Sequence, residues 1–348
     1  MRIAHLLWSF TTGGIETMLV DIANEHVKTD SVTIFIVNDR IDNTLLSKLD
    51  KRINVVRCNR RQSSKYPLPL LKLNWRLRQF NPDIVHVHSD RLTKLVIGKY
   101  HFVRTIHNTH SSGVDYTNCE RLFCISNAVK DYTAKQGFPN GIVVYNGIHT
   151  DYIKEKVESQ MTVEGRSKRF VCVGRLHPMK GQNLIVEAFN ILVNERGLKG
   201  FSIDLIGDGE MRPSMEARVK ECNLENYINF LGKKSREYFY PRLCEYDLFI
   251  MPSVNEGFGL TLAEACSAKI PVITSDLEGP MEVIDYGKYG MSFKSGDPES
   301  LADRIQEFLQ KGCNMKQVVE AYNFVKANFD VCSTADKYLE EYKKIYNK

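Results

Sequence analysis

The sequence predicts an α/β protein built of two doubly wound parallel-sheet domains in succession. Three observations predict it. Short apolar, β-branched runs alternate with longer amphipathic segments; the rhythm stops at a polar stretch, Lys154 to Lys168, and then restarts; and glycine-bounded turns follow strands where helices begin. Parallel neighbours need a crossover, which a helix supplies, so this alternation is the mark of a parallel sheet. A length of 348 residues is also too great for one ordinary core and suits two.

In order, Ile3–Trp8 reads as a strand, Glu16–Val27 as a helix, and Val32–Val37, Ile84–His88, Val103–His107 and Arg121–Ile125 as further strands. After the polar stretch come the strand Phe170–Val173, a helix from about Gln182 to Arg196, the strand Ser202–Ile206, and a helix near Met211–Cys222. The strands Ile228–Phe230, Leu248–Met251 and Val272–Thr274 follow, with a helix near Leu260–Ala268 between the last two. Residues 317–346 read as one or two helices, with Leu339, Tyr342, Ile345 and Tyr346 at helical spacing. The domains expected are 1–160 and 168–325, with a C-terminal helix over 326–348.

Composition narrows the class. Hydrophobic residues make up 43% and charged residues 26%, as in soluble globular proteins. The N-terminal apolar run is too short and interrupted for a signal peptide, and nothing approaches the ~18–20 apolar residues of a bilayer span. The nine cysteines are scattered and never form a Cys-x-x-Cys pair, which suits reduced thiols better than disulfides or zinc. A cytoplasmic protein is expected.

Three loops carry chemistry. Glu256-Gly257-Phe258-Gly259-Leu260 follows the strand Leu248–Met251 and opens a helix, where free N–H groups and the helix dipole favour phosphate. Glu264, in that helix's second turn, is placed to accept two ribose hydroxyls, and Glu256 to lie beside a sugar. Gly174-Arg175-Leu176-His177-Pro178-Met179-Lys180-Gly181 follows Phe170–Val173; a guanidinium and an ammonium on one glycine-bounded loop can reach one pyrophosphate. Thr11-Thr12-Gly13-Gly14-Ile15-Glu16 follows the first strand and permits close backbone approach to a ligand, yet lacks the Gly-x-Gly-x-x-Gly of a dinucleotide fingerprint.

Taken in order, Gly13-Gly14-x-Glu16, Gly174-Arg175-Leu176 with Lys180-Gly181, Gly207-Asp208-Gly209, the Glu256/Glu264 pair and Pro271-Val272-Ile273 resemble glycosyltransferase family 4, the retaining GT-B enzymes. The resemblance spans nearly the whole chain. It implies two Rossmann-like domains facing across a cleft, with the C-terminal helix crossing back to the N-terminal domain. It implies an N-terminal acceptor domain and a C-terminal nucleotide-sugar domain, with transfer of a hexosyl group from a nucleoside-diphosphate sugar, UDP favoured and GDP the alternative. Arg175 and Lys180 would bind the donor diphosphate, Glu264 the ribose and Glu256 the sugar hydroxyls; amides of Gly257, Phe258, Gly259 and Leu260, with Gly174, would meet phosphate or sugar. Leu231-Gly232 would touch the base, Gly14 the phosphates, and His107, in Thr105-Ile106-His107, the transferred sugar. His86 and His88 read as structural. The sequence has no Asp-x-Asp, so no metal or cofactor is expected: positive side chains take the metal's place. One departure is Ser267-Ala268-Lys269, which stands where a small, often glycine-containing turn is usual. The same architecture occurs in nucleotide-sugar 2-epimerases, which are the alternative.

The net charge of +5 is uneven. Between Lys51 and Pro82 stand nine basic residues and no acidic one, and Leu70, Leu73, Leu77 and Phe80 share a helical face within that block. An ordinary core-facing helix with solvated charges is one reading. The other is that residues 51–80 dock on an anionic inner-leaflet membrane surface, with a glycan or polyprenyl-diphosphate-linked saccharide as acceptor. Nucleic acid is not expected, since no recognised module is present.

Overall fold

The structure, a computed structural model, describes residues 1–11, 13–89, 92–109, 118–157 and 166–347. It divides into two compact units, 1–148 with 329–348, and 149–328. Of the expected linker, 154–157 and 166–168 fall in the second unit, while 158–165 lie outside the described residues.

The first unit contains β1 (Arg2–Leu7), α1 (Gly14–His26), β2 (Ser31–Asn38), α2 (Asn43–Leu46), β3 (Asn54–Arg60), α3 (Leu68–Phe80), β4 (Ile84–Val87), β5 (Phe102–Ile106), β6 (Arg121–Cys124), α4 (Asn127–Lys135) and β7 (Ile142–Val143). Its strands form one sheet in the order β3-β2-β1-β4-β5-β6-β7, and the pairings are parallel. Central strands are apolar on both faces because helices cover both: every residue of β2 after Ser31 is buried. β3, which the sequence reading did not anticipate, is an edge strand with only Cys58 fully buried, so its Asn-Val-Val-Arg-Cys-Asn-Arg carries no continuous apolar signal.

The second unit contains β8 (Lys168–Val173), α5 (Gln182–Asn190), β9 (Phe201–Ile206), α6 (Arg212–Glu221), β10 (Ile228–Gly232), α7 (Arg236–Phe239), β11 (Leu248–Met251), α8 (Leu260–Ser267), β12 (Val272–Ser275), α9 (Glu278–Val283), β13 (Met291–Phe293), α10 (Pro298–Lys311) and α11 (Met315–Asn328). Its sheet runs β10-β9-β8-β11-β12-β13. Phe170, Phe189, Phe201 and Phe308 join strands and helices in its core.

The last helix, α12 (Val331–Tyr346), returns to the first unit. Asp330 caps it by accepting from the Cys332 amide at 2.9 Å, and Tyr338, Tyr342 and Ile345 pack with Ile3, Met18, Ile22 and Phe123. In each sheet the strand order reverses between the first strand and the fourth, β1/β4 and β8/β11. The carboxyl ends of such neighbours diverge to opposite faces and leave a crevice for ligand.

Candidate active site

In the second unit, the loop after β8 and the loop after β11 flank this reversal point, and they are joined by backbone. The amides of Val254 and Asn255 both donate to the Met179 carbonyl, at 3.0 and 3.1 Å. Arg175 is exposed, and its guanidinium has no ion-pair partner among the described residues. Its carbonyl accepts from Gln182 Nε2 at 3.0 Å, which fixes the loop from below. Lys180 instead donates to Glu256 Oε2 at 2.6 Å, an oxygen that Ser253 Oγ also approaches at 3.4 Å. A cation and an anion from the two loops thus pair over the crevice.

Beside this pair, α8 begins without a side-chain cap. Gly259 precedes it with φ +115, a conformation that side chains disfavour, and so turns the chain sharply enough to leave the first amides of the helix unspanned. Gly257, Phe258 and Gly259 are buried and Leu260 is partly exposed. Gly174 is partly buried at the head of the first loop, and Gly207 packs so closely that a Cβ there would lie 1.8 Å from the Gly174 carbonyl oxygen. Leu231 and Gly232 end β10, where Gly232 accepts from the Gly207 amide at 3.0 Å.

Glu264 is 2% exposed, and Oε1 accepts from the Tyr240 hydroxyl at 2.7 Å with Arg236 at 3.2 Å. Neither Arg236 nor Tyr240 was anticipated from sequence. They stand 28 and 24 positions upstream, and no local pattern ties them to Glu264.

In the first unit, Gly13 and Gly14 open α1 without a side-chain cap, and Thr11 Oγ1 donates to Glu16 Oε1 at 3.5 Å; burial raises the Glu16 carboxyl above its ordinary range. Thr12 lies outside the described residues. His107 follows β5, with burial and then Arg104 lowering its imidazole to about 3. Behind it runs a file of buried histidines. Ring centroids lie 5.7 Å apart for His107 and His88, 4.1 Å for His88 and His86, and 5.3 Å for His86 and His5. His5 Nδ1 and His88 Nε2 share a hydrogen bond of 3.1 Å; His86 bonds Tyr342 Oη at 2.5 Å and Thr105 Oγ1 at 2.7 Å. One nitrogen each of His5, His86 and His88 come within 4.8 Å of one another, but both His86 nitrogens are committed to hydroxyls. Desolvation holds all three imidazoles well below their ordinary pKa, so the file is a neutral, hydrogen-bonded core element.

The family description "Glycosyl transferases group 1" matches residues 153–323, and "Glycosyltransferase Family 4" matches residues 12–152. The chain belongs to glycosyltransferase family 4. A UDP-Gal:alpha-D-GlcNAc-diphosphoundecaprenol alpha-1,3-galactosyltransferase of Escherichia coli is 25% identical to this family 4 member over 300 residues, 74% of this chain and 76% of that protein. An uncharacterised glycosyltransferase of Methanocaldococcus jannaschii is 26% identical over 193 residues, 56% of this chain and 50% of that protein. The chain spans about half the length of that relative, and 36% of the length of a 2-deoxystreptamine N-acetyl-D-glucosaminyltransferase of Niallia circulans. Among solved structures, Anabaena HepE in complex with UDP and glucose superposes with a TM-score of 0.83 at 20% identity, covering 99% of this chain and 100% of that one. The two parallel α/β units of this family 4 protein are those of the GT-B fold.

Proposed function

We propose that this chain is a retaining glycosyltransferase that moves a hexosyl group from a nucleoside-diphosphate sugar to a glycan or lipid-linked saccharide in the synthesis of a bacterial surface polysaccharide. The observation that carries the reading is the Lys180–Glu256 pair at the β8/β11 reversal, which joins the loop carrying exposed Arg175 to the loop that opens α8 without a side-chain cap. A donor diphosphate competes with Glu256 for Lys180 and takes Arg175 in a two-pronged contact. As the glycosidic bond lengthens, negative charge grows on the leaving phosphate, and these cations and the α8 amides stabilise it more than the ground state. Glu256, released from Lys180, turns to the sugar hydroxyls. The departing phosphate oxygen takes the acceptor proton on the face it leaves, which retains configuration without a protein nucleophile. No metal is required, because Arg175 and Lys180 supply the charge.

UDP-sugar is favoured as donor: HepE was solved with UDP, and the Escherichia coli relative is named for UDP-Gal. A GDP-sugar is the alternative, since a Mycobacterium tuberculosis relative is named GDP-mannose-dependent. The test is Lys180→Ala. Loss of one transition-state contact of this kind lowers turnover ~10²–10³-fold, and sugar transfer by Lys180→Ala at the normal rate would falsify the assignment. Nucleotide release in the absence of acceptor would favour the 2-epimerase alternative.

A specific observation favours acceptor capture at a membrane. On α3, Leu73 and Leu77 are buried while Leu68, Leu71 and Trp75 are each more than half exposed, with exposed Tyr66 just before the helix. This apolar stripe lies among Lys72, Arg76 and Arg78 in a block without acidic residues. Apolar side chains that enter the headgroup region beside cations that meet anionic lipid suit peripheral docking on the inner leaflet, each cation contributing on the order of 1 kcal/mol.

A further inference from the structure

The ribose-binding carboxylate of this proposed donor site is Glu264. Its neighbours Leu262, Ala263 and Ala265 are buried and apolar. The carboxylate is itself 2% exposed, where a charge is tolerated only if paired. The pairing comes from the segment after β10. Tyr240 is 4% exposed and directs its hydroxyl at Oε1 from 2.7 Å; Arg236, one turn earlier, reaches the same oxygen at 3.2 Å, and its side chain keeps 18% exposure. Arg236 also lies 5.6 Å over the Tyr240 ring, so the two act on the carboxylate together. With two donors on one oxygen, rotation of the carboxyl plane is restrained, and Arg236 and Tyr240 help to set the direction in which it receives a ligand hydroxyl.

We propose that Arg236 and Tyr240 are positioning residues that determine how strictly the donor site reads the ribose. The proposal rests on the donor-site reading above. A hydrogen bond from a sugar hydroxyl to a fixed, charged acceptor discriminates against the deoxy analogue by roughly 10-fold or more. A carboxylate free to turn loses much of that selectivity while still tolerating the nucleotide.

The experiment measures binding of UDP and GDP and of their 2′-deoxy and 3′-deoxy forms to the wild-type chain and to Tyr240→Phe, Arg236→Met and Arg236→Lys, together with donor KM and kcat. The expected wild type prefers the ribonucleotide over at least one deoxy form by about 10-fold or more. In Tyr240→Phe and Arg236→Met this ratio shrinks to about threefold or less, donor KM rises more than kcat falls, and Arg236→Lys restores most of the ratio. If the variants lose affinity for ribo and deoxy forms alike, so that the ratio is unchanged, the residues are merely structural and the proposal is overturned. If the wild type discriminates and every variant discriminates equally, it is also overturned. A wild type that binds neither UDP nor GDP overturns the donor-site reading beneath it, and one that binds both ribo and deoxy forms equally overturns the ribose role of Glu264.

Discussion

Lowering the pH from 7 to 5.5 should destabilise the first unit, because five imidazoles are held neutral in it. Burial lowers His26 to about 4 and His107 to about 3, and holds His5, His86 and His88 well below the ordinary value. Around them, Asp30, Asp336 and Glu25 pull His26 upward against the burial, whereas Arg104 lowers His107 further. The sign follows from proton counts. Above pH ~6.5 neither the folded nor the unfolded chain protonates these rings. Below it the unfolded chain takes up protons that the folded one refuses, so stability is complete above 6.5 and is lost as the pH falls toward each folded value. At pH 5.5 His26 and His107 each cost about 1.4 kcal/mol, about 3 kcal/mol together, and His5, His86 and His88 act in the same direction. A domain is stable by about 5–15 kcal/mol, so a loss of this size is a large fraction of the total. The carboxylates lowered by ion pairs, Asp30 and Asp83, act only below their ordinary range, whereas Glu16, raised by burial, takes up its proton more readily in the folded chain and so works against the histidines as the pH falls. The assay is urea unfolding followed by tryptophan fluorescence. Both tryptophans, Trp8 and Trp75, lie in this unit, and Trp8 packs against its core with Arg60 5.7 Å over the ring. A stability slope below about 1.4 kcal/mol per pH unit between 6.5 and 5.5, about one proton's worth, would refute the reasoning.

Other outcomes follow from single contacts. Tyr342→Phe removes the hydroxyl on His86 Nδ1 and should cost the same unit about 1–3 kcal/mol, read from the urea midpoint at pH 7.5. Gly207→Ala places a Cβ 1.8 Å from the Gly174 carbonyl at φ +153 and should destabilise the second unit by about 3 kcal/mol or more, seen by circular dichroism. Sugar transfer should survive excess chelator; a loss of tenfold or more that is restored by a divalent ion would show that Arg175 and Lys180 do not replace a metal. Replacing Leu68, Leu71 and Trp75 with Ser, or Arg57, Arg60, Arg61 and Lys65 with Glu, should abolish co-sedimentation with anionic liposomes, and unchanged co-sedimentation by both would remove the docking surface.

Much of the architecture was legible in the chain because buried parallel strands must be apolar on both faces, and runs such as Phe170–Val173 and Leu248–Met251 can hardly be anything else. The glycine-bounded loops were legible for a related reason: a sharp strand-to-helix turn such as that at Gly259 needs a residue without Cβ. The strands β3, β7 and β13 were not, since an edge position or a length of two or three residues leaves no periodic signal. Lys269, which departs from the family's small turn, adopts φ +53 just past α8 and pairs with Glu155 at 2.6 Å, a compensation invisible in sequence.

Sequence alone therefore determined the buried central strands, the helices that follow the glycine-bounded loops, and the charged residues that stand on those loops, because those properties are local; edge strands such as β3 and helices such as α4, α9 and α10 were not read from it. Tertiary structure decided the partners: Lys180 on Glu256, Arg236 and Tyr240 on Glu264, and the histidine file against Tyr342. Each pairing joins residues at least 24 positions apart, and only the packing of one element on another brings such groups within the ~3 Å reach of a hydrogen bond.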